Sequence, residues 1–154
     1  MIYLGLDCST LAVHGAIVDE MEQLISLHKW GSKQKTFVER FPEILVGFSA
    51  DFSKINVIDE AAIESAIFIQ NPKTSLSIAN VVGAVWGLLV SGGITTFGVD
   101  NRQWKKEIIG KGNATKADIK EFAINKWVER FPEQDYADAA CIALWNKRRI
   151  AYDG

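Results

Sequence analysis

The first thirty residues, "MIYLGLDCSTLAVHGAIVDEMEQLISLHKW" (1–30), set the architecture. "MIYLGLD" is short and apolar and reads as a buried strand ending at Asp7. "CST" is a tight connection. "LAVHGAIVD" (11–19) is a second strand, and "QLISLHKW" (23–30) a third after the polar turn "DEME". Strands joined by such short turns pair with their neighbours as an antiparallel meander. The opening "MIYLGLDCST" has neither the basic start nor the cleavable apolar run of a signal peptide.

Beyond residue 30, helices and strands alternate. "TFVERFPEILVGFSADF" (36–52) has helical spacing, with Pro42 either kinking the helix or opening a new one. "AAIESAIF" (61–68) reads as a strand with Glu64 inside it. "NPKTSLSIANVVGAVWGLLVSG" (71–92) is a helix begun by a proline and stopped by Gly92 and Gly93. "ITTFGVD" (94–100) is another strand, and "RQWKKEII" (102–109) a short basic helix. "TKADIKEFAINKWVERF" (115–131) is a helix opened by a Thr115–Asp118 capping box and ended by Pro132. "QDYADAACIALWNKRRIAY" (134–152) is the last helix. The expectation is one α/β domain over residues 1–154, a mixed five-stranded sheet flanked by helices. The hexapeptide "VERFPE" occurs at 38–43 and again at 128–133, but its flanks do not match, so it is no repeat unit.

The chain has 154 residues, 48% hydrophobic and 23% charged, an ordinary globular composition. Its most apolar stretch, residues 77–93, contains Asn80 and falls short of the roughly 20 residues that span a bilayer. It reads as a buried helix, and the protein as cytoplasmic with no membrane contact. Cys8 and Cys141 form no metal motif and no disulfide framework. Net charge is −2, unevenly spread. Residues 1–100 carry 6 Lys/Arg against 11 Asp/Glu; residues 101–149 carry 11 against 7. Such asymmetry suits a face that meets an anion, and equally a solvated helical surface.

Four carboxylates stand out. Asp7 ends an apolar strand, where a turn-starting role is the plain alternative. Glu64 sits within a strand, where a buried charge needs a partner or a metal. Asp135 and Asp138 share one face at the start of a helix that is otherwise nearly all apolar. The helix dipole alone would favour them modestly there. If the four converge, an all-oxygen ligand set selects Mg²⁺ or Mn²⁺. Two such ions would clamp the attacking and leaving oxygens of a phosphodiester. His14 and His28 fall within strand patterns and read as packing or surface residues rather than ligands.

With these residues aligned, the chain resembles the RuvC-type Holliday-junction resolvases of the ribonuclease H-like superfamily, whose element order it shares. "GLDCST" is similar to the family's first-strand motif at Asp7. "AIESAIFIQNPKTSLSIANVVG" resembles its second strand, loop and glycine-containing helix, with Glu64 as the acid. "QDYADAACIALW" resembles the terminal helix, with Asp135 and Asp138. "QWKKEIIGKGNATKADI" resembles the basic segment, where Lys105 and Lys116 match its DNA-contacting lysines. Two departures are visible: Cys8-Ser9 replaces Pro-Gly, and the family's junction-prising aromatic aligns with Ile67, one place before Phe68. The short chain is similar to compact phage-encoded members.

The resemblance implies a magnesium-dependent endonuclease, two ions per site with Mn²⁺ able to substitute, that nicks four-way and other branched DNA as a homodimer. Asp7, Glu64, Asp135 and Asp138 would hold the ions. Lys116 and Lys105 would neutralise phosphates, with Lys111 a weaker candidate. Asn71, Lys73, Thr74 and Phe68 would face the junction centre. Ala79, Gly83 and Gly87, with Trp86 and Leu89, would meet the partner subunit or pack on the sheet. Nothing points to a branch-migration motor partner. The rival readings are a ribonuclease acting on RNA–DNA hybrids, a YqgF-like RNA-processing enzyme, and a non-catalytic binder of branched DNA.

Overall fold

The computed structural model describes residues 1–55, 57–65 and 71–153, without the side chains of 150–153. Five strands form one sheet: β1 (Ile2–Cys8), β2 (Ala12–Asp19), β3 (Leu24–Gly31), β4 (Glu60–Glu64) and β5 (Thr95–Val99), in the order β3-β2-β1-β4-β5. The first three are antiparallel, and β4 and β5 are parallel to β1. The expected meander and mixed sheet are both present. Short turns impose the antiparallel pairs, and the helical crossovers make the parallel ones possible.

The two-residue period of the strands sorts every side chain to one face. Leu4, Leu6, Val13, Ile17, Trp30, Ala61 and Ile63 point to the face covered by α1 (Phe37–Phe52) and α2 (Pro72–Ser91). Tyr3, Gly5 and Asp7, with His14, Ala16, Ala62 and Glu64, take the opposite parity. That face is covered by α3 (Asn101–Ile109), α4 (Lys116–Trp127) and above all α5 (Gln134–Asp153).

α5 lies almost on the backbone of β1. A Cβ placed on Gly5 would meet the Ala139 carbonyl oxygen and the Ala143 nitrogen at 2.2 Å. Only glycine permits this approach, and Ala137, Ala139, Ala140 and Ala143, all fully buried, keep the helix side equally thin. The start of α5 is thereby pressed over the end of β1.

Several boundaries differ from the sequence expectations. α1 is continuous through Pro42, and a capping box between Thr36 and Glu39 opens it. α4 ends at Trp127, not at Pro132. Val128 turns left-handed (φ 52°) and its N–H closes on the Ile124 carbonyl at 2.7 Å. β4 stops at Glu64, so that residue ends the strand rather than interrupting it; residues 66–70 lie outside the described residues. At the start of β4, Asp59 accepts the Ile2 N–H at 2.7 Å, and Glu60 pairs with Arg149 at 3.1 Å. α2 has twenty residues, long and apolar enough by length and composition to cross a bilayer. It is not buried all round. Val81, Val82, Val85 and Leu89 pack inward, while Leu76, Ala79, Gly83, Gly87 and Val90 are exposed. Leu89 is thus core, not a subunit contact.

Candidate active site

Asp7, the last but one residue of β1, is partly buried on the α5 face. Asp135 and Asp138 come down onto it from the first turns of α5. One carboxylate oxygen from each of the three lies within 4.8 Å of the others. At that spacing two full charges repel by roughly 3.5 kcal/mol at an effective dielectric near 20. The crowding raises the proton affinity of two of the three. Burial, then the charges of Glu64, Asp138 and Asp135, push the Asp7 carboxyl well above its usual range. Asp138 is raised to about 6, chiefly by burial and further by Glu64 and Asp135. A hydrogen bond from Gln134 at 3.1 Å opposes this shift. Lys105 lowers both groups and so stands near the cluster.

Glu64 reaches the edge of this group but is not among the three mutually close oxygens. α3 holds it there. Asn101 donates its amide to both carboxylate oxygens (3.2 and 3.1 Å), and the Trp104 indole N–H donates to Oε2 at 2.6 Å. Trp104 is fully buried, so this bond is fixed by packing. Neither residue stood out in the sequence as functional. An indole N–H and a carboxylate forty residues apart leave no local pattern.

The basic candidates are more dispersed. Lys105 also lies 5.7 Å over the Trp104 ring. Lys116, exposed at the first position of α4, makes no described contact with the carboxylates. Lys111 is drawn to Asp118 at 3.0 Å. Asn71 caps α2 by accepting the backbone N–H groups of Lys73 and Thr74, so its carbonyl is committed to the fold. Phe68 lies outside the described residues.

His14 packs inside β2, as its strand pattern implies, and has polar partners that the pattern did not indicate. It is buried, across the ladder from Asp7, and Nε2 lies 2.7 Å from Glu133 Oε2. Glu133 also accepts from Lys29 at 2.7 Å. These residues line a cleft of about 770 Å³ that runs past Ser9 and Lys33 to Asp135. The hairpin register was the available signal: a turn at 9–11 places His14 opposite Asp7 on the same face.

A family model described as "Crossover junction endodeoxyribonuclease RuvC" matches residues 32–146. A protein of that name from Burkholderia multivorans is 37% identical over 87 residues, 56% of this chain and 48% of that protein. The matched stretch thus spans about half of that relative. One from Aliarcobacter butzleri is 29% identical over 97% of this chain and its own full length. Among solved structures, Thermus thermophilus RuvC in complex with Holliday junction substrate superposes with a TM-score of 0.81 at 18% identity. That match covers 99% of this chain and 94% of that one. The fowlpox virus Holliday junction resolvase gives 0.61 at 12% identity, covering 97% and 99%.

Proposed function

The chain belongs to the RuvC family of crossover junction endodeoxyribonucleases, and on that basis we propose that it hydrolyses phosphodiester bonds in branched DNA, four-way junctions above all. The observation that carries the reading is the meeting of Asp7, Asp135 and Asp138 within 4.8 Å, at a cost in charge repulsion that a lone fold has no reason to bear.

The donor set fits hard divalent cations. It offers carboxylate oxygens only, half-buried, with raised proton affinity in the absence of a cation. Asp7, Asp135 and Asp138 would hold the ions, with Glu64 as the fourth carboxylate, and Mg²⁺ is the physiological choice, two per site. When bound, such ions supply a polarised water and offset charge on the scissile phosphate. Asn101 and Trp104 keep Glu64 facing the site, which limits the reorganisation needed on binding. Lys105 balances the acidic cluster and would meet the incoming phosphate backbone, with Lys116 at the start of α4 as a second phosphate contact. Lys73 and Thr74, in the first turn of α2, would face the branch point.

One site cuts one strand, so symmetric resolution of a junction calls for a twofold dimer. The outward face of α2 serves this. Leu76 and Val90 are exposed apolar groups there, and around Gly83 and Gly87 nothing lies within 4 Å of where a Cβ would stand. Residues 1–154 act as one nuclease domain, in the cytoplasm.

The test is a Mg²⁺-dependent nicking assay on a four-way junction, a fork, a flap and an RNA–DNA hybrid at equal concentration. Junction nicking is expected to dominate. Glu64→Gln is expected to keep junction binding and lose cleavage by about a thousandfold or more. Preference for the hybrid would move the protein to RNA processing. Binding without any nicking would make it a passive junction binder.

A further inference from the structure

His14 is 2% exposed, and its imidazole is only half satisfied. Buried polar atoms are nearly always hydrogen-bonded. Here Nε2 meets the Glu133 carboxylate at 2.7 Å. A carboxylate paired with Lys29 accepts and does not donate, so in the neutral ring Nε2 carries the hydrogen and Nδ1 is a bare lone pair. Among the described residues Nδ1 has no hydrogen-bond partner, and it faces Oδ2 of Asp135 at 3.7 Å. A lone pair and a carboxylate oxygen that face each other across a gap too long for a hydrogen bond are reconciled by a cation between them.

The spacing suits one. Two ligand atoms each about 2.1 Å from a shared ion stand roughly 3.4 Å apart at a tetrahedral angle. The surroundings suit it too, since a metal-ligating histidine usually gives its other N–H to a carboxylate, the part Glu133 plays. Asp135 links this place to the acidic cluster. It belongs both to the group His14, Glu133, Asp135 and to the group Asp7, Asp135, Asp138, each with ligand atoms within 4.8 Å of one another.

We propose that His14 Nδ1 is a nitrogen ligand for a divalent transition-metal ion shared with Asp135, with Glu133 and Lys29 as positioning residues. The inference rests on the nuclease reading only in taking Asp135 as a metal ligand. A nitrogen donor shifts preference from Mg²⁺ towards Mn²⁺ and later first-row ions, so this edge of the site gives Mn²⁺ an advantage that an all-oxygen cluster lacks.

The test uses untagged full-length protein with Mn²⁺ as the probe. The chain has two histidines, which makes a nitrogen signal assignable. The other, His28, is bonded to Ser26 and stacked on Trp30. Pulsed electron paramagnetic resonance of bound Mn²⁺ is expected to show a nitrogen coupling that changes when histidine is ¹⁵N-labelled and vanishes in His14→Gln. Calorimetry is expected to show Mn²⁺ affinity falling about tenfold in that variant, with a smaller change for Mg²⁺. Glu133→Gln is expected to keep the coupling and weaken binding. If His14→Gln does not fold, the labelled wild type and His28→Gln still decide the matter. Bound Mn²⁺ that depends on Asp138 but shows no histidine coupling would overturn this inference and leave the nuclease reading standing. Absence of any Mn²⁺ binding would overturn both.

Discussion

The two faces of the sheet are built to different tolerances. The face under α1 and α2 is filled with large side chains, among them Leu4, Leu6, Trp30, Phe48, Ile63 and Leu89. The face under α5 is thinned to Gly5, Ala16, Ala62, Ala139 and Ala143. Bulky side chains hold layers apart and can repack; small ones bring backbones into contact, where nothing can give. The thin face is the one that carries the carboxylates. Its thinness puts the start of α5 within ion-bridging distance of Asp7. The hexapeptide shared by residues 38–43 and 128–133 appears once on each face and makes the same point. In α1 it is helical, with Phe41 half-buried and Glu43 bonded to Ser32 and Gln34. Before α5 it is non-helical, with Phe131 4% exposed and Glu133 reaching His14.

Three measurements put this contrast at risk. The largest effect is expected from the hexapeptide's aromatic. Phe131→Ala should cost about 4 kcal/mol in denaturant unfolding, and Phe41→Ala about half that. Equal losses would mean the two faces are equally packed. Next, Gly5→Ala should destabilise by about 3 kcal/mol and abolish nicking, because a backbone oxygen and nitrogen occupy the space of the new methyl. Gly47→Ala, inside α1 with only Trp30 near at 3.8 Å, should instead stabilise by about 1 kcal/mol. A harmless Gly5→Ala would show that the helix can move off the strand.

The third contrast is in charge. Glu39 and Glu43, in α1, are held below the usual carboxylate range by hydrogen bonds, from Thr36 to the first and from Ser32 and Gln34 to the second. Asp7 and Asp138 are held above it. A carboxyl bound more tightly to its proton in the folded state stabilises fully below the unfolded pKa. That contribution is lost as pH rises through the folded value. For Asp138 the window runs from near 4 to about 6, and the loss is up to about 3 kcal/mol. Metal-free protein should therefore lose this contribution between pH 4 and 7. Mg²⁺ should restore stability at neutral pH, and Asp138→Asn should remove the Asp138 share of the dependence, leaving that of Asp7. Thermal unfolding across pH with and without Mg²⁺ checks it. A metal-free protein unaffected by Asp138→Asn would mean the cluster is more open to water than its burial implies.

The strands, the meander and the order of helices were legible in the amino-acid order alone, and so were three acids that the fold brings together, Asp7, Asp135 and Asp138. They rest on local quantities: apolar period, turn residues and capping pairs such as Thr115 with Asp118. Asp7, Asp135 and Asp138 could be read because each sits at the end of an element, where an acid in an apolar run is conspicuous. How the acids meet was settled by the folded arrangement. Glu64 is turned to Asn101 and Trp104, His14 gains Glu133 from 119 residues away, and one hexapeptide takes two conformations. Local propensity is worth tenths of a kcal/mol per residue, while close packing and buried charge are worth several. Those stronger interactions exist only between elements that the fold has already brought together.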